Sequence, residues 1–168
     1  MQFSTDRLIL RPMRLEDAPF VFELVNTKEW IENIGPRNVP SINAAKKYIQ
    51  EKMVDHYEKH GYGNFLMMRK ADGVKIGCIS LYNRDDVEGV DIGFAMLPQY
   101  MSKGYAFEGA EVIKLAAKDE YGLKGITAFT TKENEISQKL ILKLGLEFKK
   151  TIIFGDEKEE LLFYELKF

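Results

Sequence analysis

A change of hydrophobic period in the middle of the chain constrains its fold more than any other feature. Three strand-like runs, at residues 65–69, 75–82 and 89–97, follow one another with only short turns between them. Apolar and small side chains then recur every three or four residues over 106–117, which is the period of a helix packed on a sheet. The β-branched run at 125–131 predicts a further strand. This order predicts an antiparallel meander joined to a parallel strand by a right-handed helical crossover.

The flanking segments complete a mixed α/β (α+β) pattern. Further strands are predicted at 7–11, 147–153 and 160–168, and further helices at 15–25, from Ser41 to before Gly61, and at 134–144. A charged turn at 155–159 separates the last two strands. The order β-α-α-β-β-β-α-β-α-β-β predicts one domain over residues 1–168. Its sheet is mixed and mostly antiparallel, with about seven strands and helices on both faces.

Composition excludes several classes of function. The 24 basic and 26 acidic residues give a net charge of -2, so we expect no nucleic-acid partner and no anionic membrane surface. No uncharged apolar run approaches the ~20 residues that span a bilayer, and the N-terminus does not resemble a signal peptide. The only cysteine, Cys78, lies in an apolar run, which indicates a core residue in a reduced, cytoplasmic protein. The sequence has two histidines besides this one cysteine, which are too few ligands for a typical zinc site, so we expect no metal site.

The segment from Pro98 to Ala106 joins a predicted strand to a predicted helix. The unpaired N–H groups and positive dipole end of such a helix favour a phosphate, Gly104 permits close approach, and Lys103 adds charge. The alternative is a plain structural turn. The spacings of a P-loop and of a dinucleotide-binding glycine motif are both absent, which argues against a nucleotide hydrolase and a Rossmann dehydrogenase.

Three motifs extend over nearly the whole chain. They are T-D-R-L-I-L-R-P at 5–12 with E-D-A at 16–18, D-I-G-F at 91–94 with G-Y-A-F-E at 104–108, and N-E-I-S at 134–137 with L-G-L-E-F at 144–148. In this order and spacing they resemble the GNAT superfamily of N-acetyltransferases. The closer resemblance is to its RimJ/RimL-like branch, the ribosomal-protein N-terminal acetyltransferases.

The resemblance implies an acetyltransferase with acetyl-CoA as cosubstrate. Its sheet is expected to separate between the fourth and fifth strands, 89–97 and 125–131, with the pantetheine arm in the gap. The pyrophosphate would rest on backbone N–H groups of the loop. The implied cofactor residues are Met96, Leu97, Met101, Ser102, Lys103, Gly104, Tyr105, Ala106, Asn134 and Ser137.

The resemblance also implies direct attack of an amine on the thioester, without a covalent acyl-enzyme. Asp91 stands at the position of a general base, acting directly or through water; the alternative is a solvated acid at a strand edge. Ser137 is the candidate for assisting the departing thiolate; the alternative is an ordinary polar helix residue. Asn134 is expected to bind the cofactor arm and is equally suited to cap its helix.

Three positions depart from the family pattern. Many relatives carry Arg or Gln in place of Met101 and Gly in place of Ser102, although neither change removes a backbone N–H. Many also place a tyrosine general acid where this chain has Ile141, so proton donation must come from Ser137 or water.

The acceptor is defined only as an amine, either a protein N-terminal amine or a small-molecule amine. Trp30, Tyr82 and Phe94 fall on the substrate side of the family fold; the alternative for each is core packing. A monomer and a homodimer are both compatible with the sequence. Two other functions stay open, namely a CoA-binding sensor or structural domain with impaired catalysis, and a protein-interaction domain of unrelated fold.

Overall fold

The computed structural model describes residues 1–156 and 158–168, so Glu157 of the predicted turn at 155–159 lies outside the described residues. These described residues form eight strands: β1 (Phe3–Ser4), β2 (Leu8–Pro12), β3 (Asn64–Arg69), β4 (Lys75–Arg84), β5 (Val87–Met96), β6 (Gly125–Thr130), β7 (Glu147–Phe154) and β8 (Glu159–Lys167). They form one sheet in the order β1-β2-β3-β4-β5-β6-β8-β7. Every neighbouring pair is antiparallel except β5 and β6, which are parallel.

In the part of the chain that the structure describes, six α-helices accompany the sheet: α1 (Ala18–Val25), α2 (Lys28–Asn33), α3 (Ile42–Ile49), α4 (Asp55–His60), α5 (Tyr105–Asp119) and α6 (Glu135–Lys143). The Ser41 hydroxyl caps α3 by accepting a hydrogen bond from the Ala44 N–H at 3.1 Å. A short π-helix at Gln50–Val54 joins α3 to α4, and Gly61 ends α4 in the left-handed conformation. None of the helices in residues 1–156 and 158–168 is long and apolar enough to cross a membrane.

The mixed, mostly antiparallel sheet is confirmed, with two elements beyond the sequence-based expectation. β1 adds an eighth strand at the edge of the sheet, where about seven were expected. Helix α2 lies in a segment without a predicted element; Thr27 caps it through a hydrogen bond to the Trp30 N–H at 3.3 Å.

Side chains on the two faces of the sheet form two cores. On one face, Ala110 and Ile113 of α5 pack with Ile79 and Ile92 of the sheet, and α6 contributes Ile141. On the other face, side chains of α1, α2 and α3 pack over the sheet and enclose Cys78, Leu66 and Leu97. Burial raises the pKa of the Cys78 thiol to about 12, so this cysteine is a neutral core residue, as predicted.

The sheet opens between β5 and β6. β4 and β5 pair along nearly their whole length, whereas β5 and β6 pair at one position, Asp91 with Thr127. This junction corresponds to the separation expected between residues 89–97 and 125–131. The crossover helix α5 begins just beyond it, so the opening lies beside the N-terminus of that helix.

Candidate active site

A cleft of about 1150 Å³ follows the opening between β5 and β6. One end is formed by the loop before α5, and the other by side chains of α2, α3 and α4, including Trp30, Tyr48 and His56. All of the predicted site residues line this cleft except Leu97 and Lys103. The Leu97 side chain is buried in the core under α1 and α3, and the exposed Lys103 lies with its Nζ 6.0 Å from the centre of the Tyr100 ring.

The loop before α5 presents an uninterrupted row of backbone donors. Ser102 and Gly104 both take left-handed conformations, at φ of +59° and +83°. Within the described part of the chain, the N–H groups of residues 102–107 donate to no backbone carbonyl and no side chain. Because α5 is 15 residues long, its positive dipole end adds to these donors. The loop therefore has the chemistry of an anion site.

The N-terminal motif holds this loop in place. Arg7 donates from Nε to Glu108 Oε2 at 2.7 Å and from Nη1 to the Lys103 carbonyl at 3.0 Å, and its guanidinium carbon lies 4.3 Å from the centre of the Tyr105 ring. Thr5 Oγ1 donates to Glu108 Oε1 at 2.6 Å. Partial burial raises the pKa of Glu108, but these hydrogen bonds outweigh burial and hold it below its usual value. Glu108 therefore stays ionised and fixes the first turn of α5.

Asp91 lies at the opening with 5% of its surface exposed, so it is not a solvated surface acid. Arg84 Nε donates to Asp91 Oδ1 at 2.8 Å. Burial raises the pKa of Asp91, and the positive charge of Arg84 opposes that rise. The arginine is itself enclosed by aromatic rings, with its guanidinium carbon 5.3 Å from the Tyr82 ring centre, 5.2 Å from Phe129 and 5.9 Å from Phe154.

His56 also faces the cleft, but both of its ring nitrogens are committed. Nδ1 lies 3.1 Å from the Tyr62 carbonyl oxygen, and the Asn83 N–H donates to Nε2 at 3.2 Å. The neutral tautomer with its proton on Nδ1 satisfies both contacts. Burial and the nearby His60 lower the pKa of His56. The ring stacks on Tyr82 at 4.0 Å, so His56 supports that side chain and has no free lone pair for a base.

The start of α6 places Asn134 and Ser137 at the cleft. Asn134 Oδ1 accepts a hydrogen bond from the Ser137 N–H at 3.1 Å, so the residue caps the helix while its amide nitrogen stays available. The Ser137 side chain is largely buried. One turn further on, Ile141 lies fully in the apolar core, and this position offers no acid.

The three predicted substrate-side aromatics line the cleft but do not share one wall. Trp30 is 8% exposed and lies under Arg37. Tyr82 pairs with Asp91 across β4 and β5, so both side chains are on the same face of the sheet. Phe94, three residues after Asp91, is on the opposite face and packs against the core beneath α5.

No group of three or more histidine, cysteine, aspartate or glutamate side chains in residues 1–156 and 158–168 is arranged to hold a metal ion. The groups at the β5–β6 opening and the loop before α5 that are suited to binding or reaction are backbone donors, the buried carboxylate of Asp91 with its arginine, and hydroxyl and amide side chains.

Comparison with known proteins agrees with this arrangement. The chain is 28% identical over 170 residues to the "Uncharacterized N-acetyltransferase YnaD" of Bacillus subtilis, covering 99% of this chain and 96% of that protein. It is 29% identical over 145 residues to the "Uncharacterized N-acetyltransferase YoaA" of the same organism, covering 86% of this chain and 81% of that protein.

Solved structures share the whole fold. RimL, a ribosomal L7/L12 alpha-N-protein acetyltransferase in complex with coenzyme A, superposes with a TM-score of 0.85 at 14% identity, covering 99% of this chain and 98% of RimL. A GNAT-family acetyltransferase from Bacillus anthracis gives 0.82 at 20% identity, with the same coverage of both chains. Residues 7–147 match the family described as "Acetyltransferase (GNAT) domain". The chain therefore belongs to the GNAT family of acetyltransferases, and it is an acyltransferase.

Proposed function

We propose that this chain binds acetyl-CoA along the cleft and transfers the acetyl group to a primary amine by direct attack in a ternary complex. One observation carries the proposal. The row of free N–H groups at residues 102–107 and the buried carboxylate of Asp91 line the same cleft, where β5 and β6 separate. The proposed anion site and the proposed base would therefore lie along one cleft, which supports the proposal.

The residues present fit acetyl-CoA. The N–H groups of residues 102–107 would hold its pyrophosphate, and the free amide nitrogen of Asn134 and the backbone of Met96 would hold the pantetheine arm. Leu97 is not available for this contact, because its N–H donates to the Ile76 carbonyl at 2.9 Å and its carbonyl accepts from the Tyr100 N–H at 3.0 Å. Met101 and Ser102 leave these backbone donors intact. When bound, acetyl-CoA supplies a thioester carbonyl that is open to attack by an amine.

Asp91 is the proposed base. Arg84 occupies Oδ1, and Oδ2 is left to take a proton from the incoming ammonium, directly or through one water. Burial raises the pKa of the carboxyl, which makes the ionised form a stronger base than a surface aspartate. Ser137 is the proposed donor to the departing thiolate, because Ile141 provides no proton.

The acceptor class follows from the family only in outline. RimL is named for acetylation of a ribosomal protein N-terminus, whereas another GNAT with this fold, at 21% identity and a TM-score of 0.75, is named as a nucleotide-linked sugar enzyme. For this chain we propose either a protein N-terminal amine or a small-molecule amine. We further propose a single catalytic domain over residues 1–168, located in the cytoplasm as a monomer or homodimer.

The first experiment compares the melting temperature with and without excess acetyl-CoA, and with ATP or NAD as controls. Acetyl-CoA at ~100 times its dissociation constant adds about 2.7 kcal/mol of stability. For a domain of this size we expect a rise of roughly 5–10 °C. No rise at saturating concentration would contradict the cofactor assignment.

The second experiment measures thiol release from acetyl-CoA with tetraalanine, tetraserine, spermidine and glucosamine as acceptors. N-acetylated tetraalanine, which lacks a free amine, serves as the matched control. Release that depends on a free amine supports the transferase. A protein that binds acetyl-CoA but acetylates none of the four would instead support the CoA-binding sensor or structural domain.

A further inference from the structure

Ser80 lies on the same face of β4 and β5 as Asp91. The proposed transfer reaction gives its hydroxyl no role. Ser80 pairs with Gly93, and Tyr82 pairs with Asp91, in the antiparallel register of the two strands. Paired residues project to the same side of a sheet, and so do residues two apart on one strand. Ser80, Tyr82, Asp91 and Gly93 therefore share one face, and all four line the cleft.

Gly93 leaves an open space on this face. A Cβ atom at Gly93 would lie 2.8 Å from Ser80 Oγ, which is too close for a real contact, and 4.0 Å from Asp91 Oδ2. The backbone of Gly93 is not in the left-handed region, so its conformation does not require glycine. What glycine provides here is the space itself, which has the Ser80 hydroxyl and the Asp91 carboxylate beside it.

Both oxygens that border the space are free to accept hydrogen bonds. Among the residues that the structure describes, Asp91 Oδ1 pairs with Arg84, while neither Asp91 Oδ2 nor Ser80 Oγ has a hydrogen-bond partner. Two unpaired acceptor oxygens beside one small space suit a ligand nitrogen that carries at least two hydrogens. A primary ammonium group has three.

We propose that the space over Gly93 is the subsite for the acceptor nitrogen, which donates one hydrogen bond to Ser80 Oγ and one to Asp91 Oδ2. This inference rests on the proposed function. Asp91 Oδ2 removes one proton from the ammonium, and the nitrogen lone pair then forms the C–N bond as the C–S bond of the thioester breaks. The thiolate leaves with the electron pair of that bond, the nitrogen releases a second proton to become the amide, and the thiolate takes up this proton through Ser137 or water. Because a carbon atom over Gly93 already lies 2.8 Å from Ser80 Oγ, an N-methyl group would crowd this hydroxyl, and the subsite selects primary amines over their N-methyl derivatives.

The test measures kcat and KM for the four amines named above, with Ser80→Ala and with Cys78→Ala as its matched control. Cys78 lies two residues earlier on the same face of β4, and its truncation also removes a single heavy atom. Ser80→Ala is expected to raise KM for the amine about tenfold, the effect of one lost hydrogen bond. Cys78→Ala is expected to leave that KM unchanged, and both variants should keep the melting shift with acetyl-CoA.

Gly93→Ala fills the space and is expected to lower kcat/KM for primary amines at least ~30-fold, the effect of ~2 kcal/mol. Because its Cβ meets the Ser80 hydroxyl, the variant Ser80→Ala/Gly93→Ala separates blockage from misfolding. We expect the double variant to have the same melting temperature as Ser80→Ala and to keep the low turnover of Gly93→Ala. Recovery of turnover in the double variant would overturn the subsite.

The kinetics of the wild type separate this inference from the proposed function. If the wild type acetylates a primary amine and Ser80→Ala and Gly93→Ala match Cys78→Ala in kcat and KM, the subsite is wrong and the transferase stands. Acetylation of an N-methyl amine as fast as its primary parent would also contradict the subsite. If the wild type binds acetyl-CoA and acetylates none of the four amines, the transferase is wrong, and the subsite with it.

Discussion

Arg84 Nε donates a hydrogen bond to Asp91 Oδ1 at 2.8 Å, and this contact divides the roles of the two carboxylate oxygens. Oδ1 is held by a guanidinium that three aromatic rings enclose, whereas Oδ2 borders the open space over Gly93. The arginine opposes the effect of burial on the pKa of Asp91. It thereby limits the rise of that pKa and favours the ionised carboxylate in a setting that otherwise favours the neutral acid.

Arg84→Gln removes the charge that lowers the pKa of Asp91. Because the base must be ionised, activity is lost as pH falls through that pKa, and a higher pKa moves the loss to higher pH. We expect the acidic limb of the kcat/KM profile to shift upward by about one pH unit. Arg84→Lys keeps the charge and should shift the limb less. An unmoved acidic limb in Arg84→Gln would show that Asp91 is not the titrating group.

Gly104→Ala tests the anion loop against a matched glycine elsewhere. Gly104 and Gly122 both have left-handed backbones, so alanine at either position should cost about 1 kcal/mol of stability. A Cβ at Gly104 would also lie 3.2 Å from Arg7 Nη2, whereas one at Gly122 meets nothing within 4 Å. We expect both variants to melt lower and only Gly104→Ala to lose most of its melting shift with acetyl-CoA. Equal shifts in the two variants would exclude the loop as the phosphate site.

Asn134 combines a cap with a proposed cofactor contact, and two substitutions separate them. Asn134→Asp keeps the oxygen that accepts from the Ser137 N–H but lacks the amide N–H₂ group. Asn134→Ala lacks both and should lose about 1 kcal/mol of stability. We expect weaker acetyl-CoA binding in both variants by titration calorimetry and a lower melting temperature in Asn134→Ala alone. Wild-type affinity in Asn134→Asp would leave Asn134 as a cap only.

His56 gives the fold a pH dependence near neutrality. Its pKa is lowered below the usual 6.5, so the folded state holds the proton more weakly than the unfolded chain. The stability that this adds is present above about pH 6.5 and is lost as pH falls through the folded pKa. As pH falls from about 6.5 toward the folded pKa, we expect denaturant unfolding to show a decline of at most about 1.4 kcal/mol per pH unit, with little change from this group between about pH 8 and pH 7.

His56→Gln is expected to flatten that decline, although its stability at about pH 8 should be lower because the stacking on Tyr82 is lost. Asp91, whose raised pKa acts in the opposite direction, is present in both proteins and cancels from the comparison. Parallel pH curves for the wild type and the variant would contradict the assignment to His56.

Helices and strands with a strong hydrophobic period could be predicted from the sequence, whereas those without such a period could not. The alternation in β5 and the small-residue stripe of α5 are both confirmed because each extends over ten or more residues. β1 has two residues and α2 has six, with Trp30 its one buried residue, so neither gives a periodic signal. The strand–loop–helix pattern similarly predicted the position of the loop before α5, at residues 98–106.

Contacts that depend on register or on distant parts of the chain were beyond the sequence. Arg84 lies in the polar run N-R-D-D, and only the irregular pairing at the end of β4 brings it to Asp91. The contact of Arg7 with Glu108 joins residues 101 apart. The position of the His56 ring depends on the π-helix before α4 and on a hydrogen bond from β4. Sequence patterns report local period, not such pairings.

The most direct test of the central claim compares Asp91→Asn with the wild type in steady-state acetyl transfer. Asparagine keeps the shape and the hydrogen bond to Arg84 but cannot take a proton from the amine. We expect kcat to fall by at least ~100-fold, the usual contribution of a general base, while the melting shift with acetyl-CoA is unchanged. An Asp91→Asn variant that acetylates amines at the wild-type rate would contradict the account.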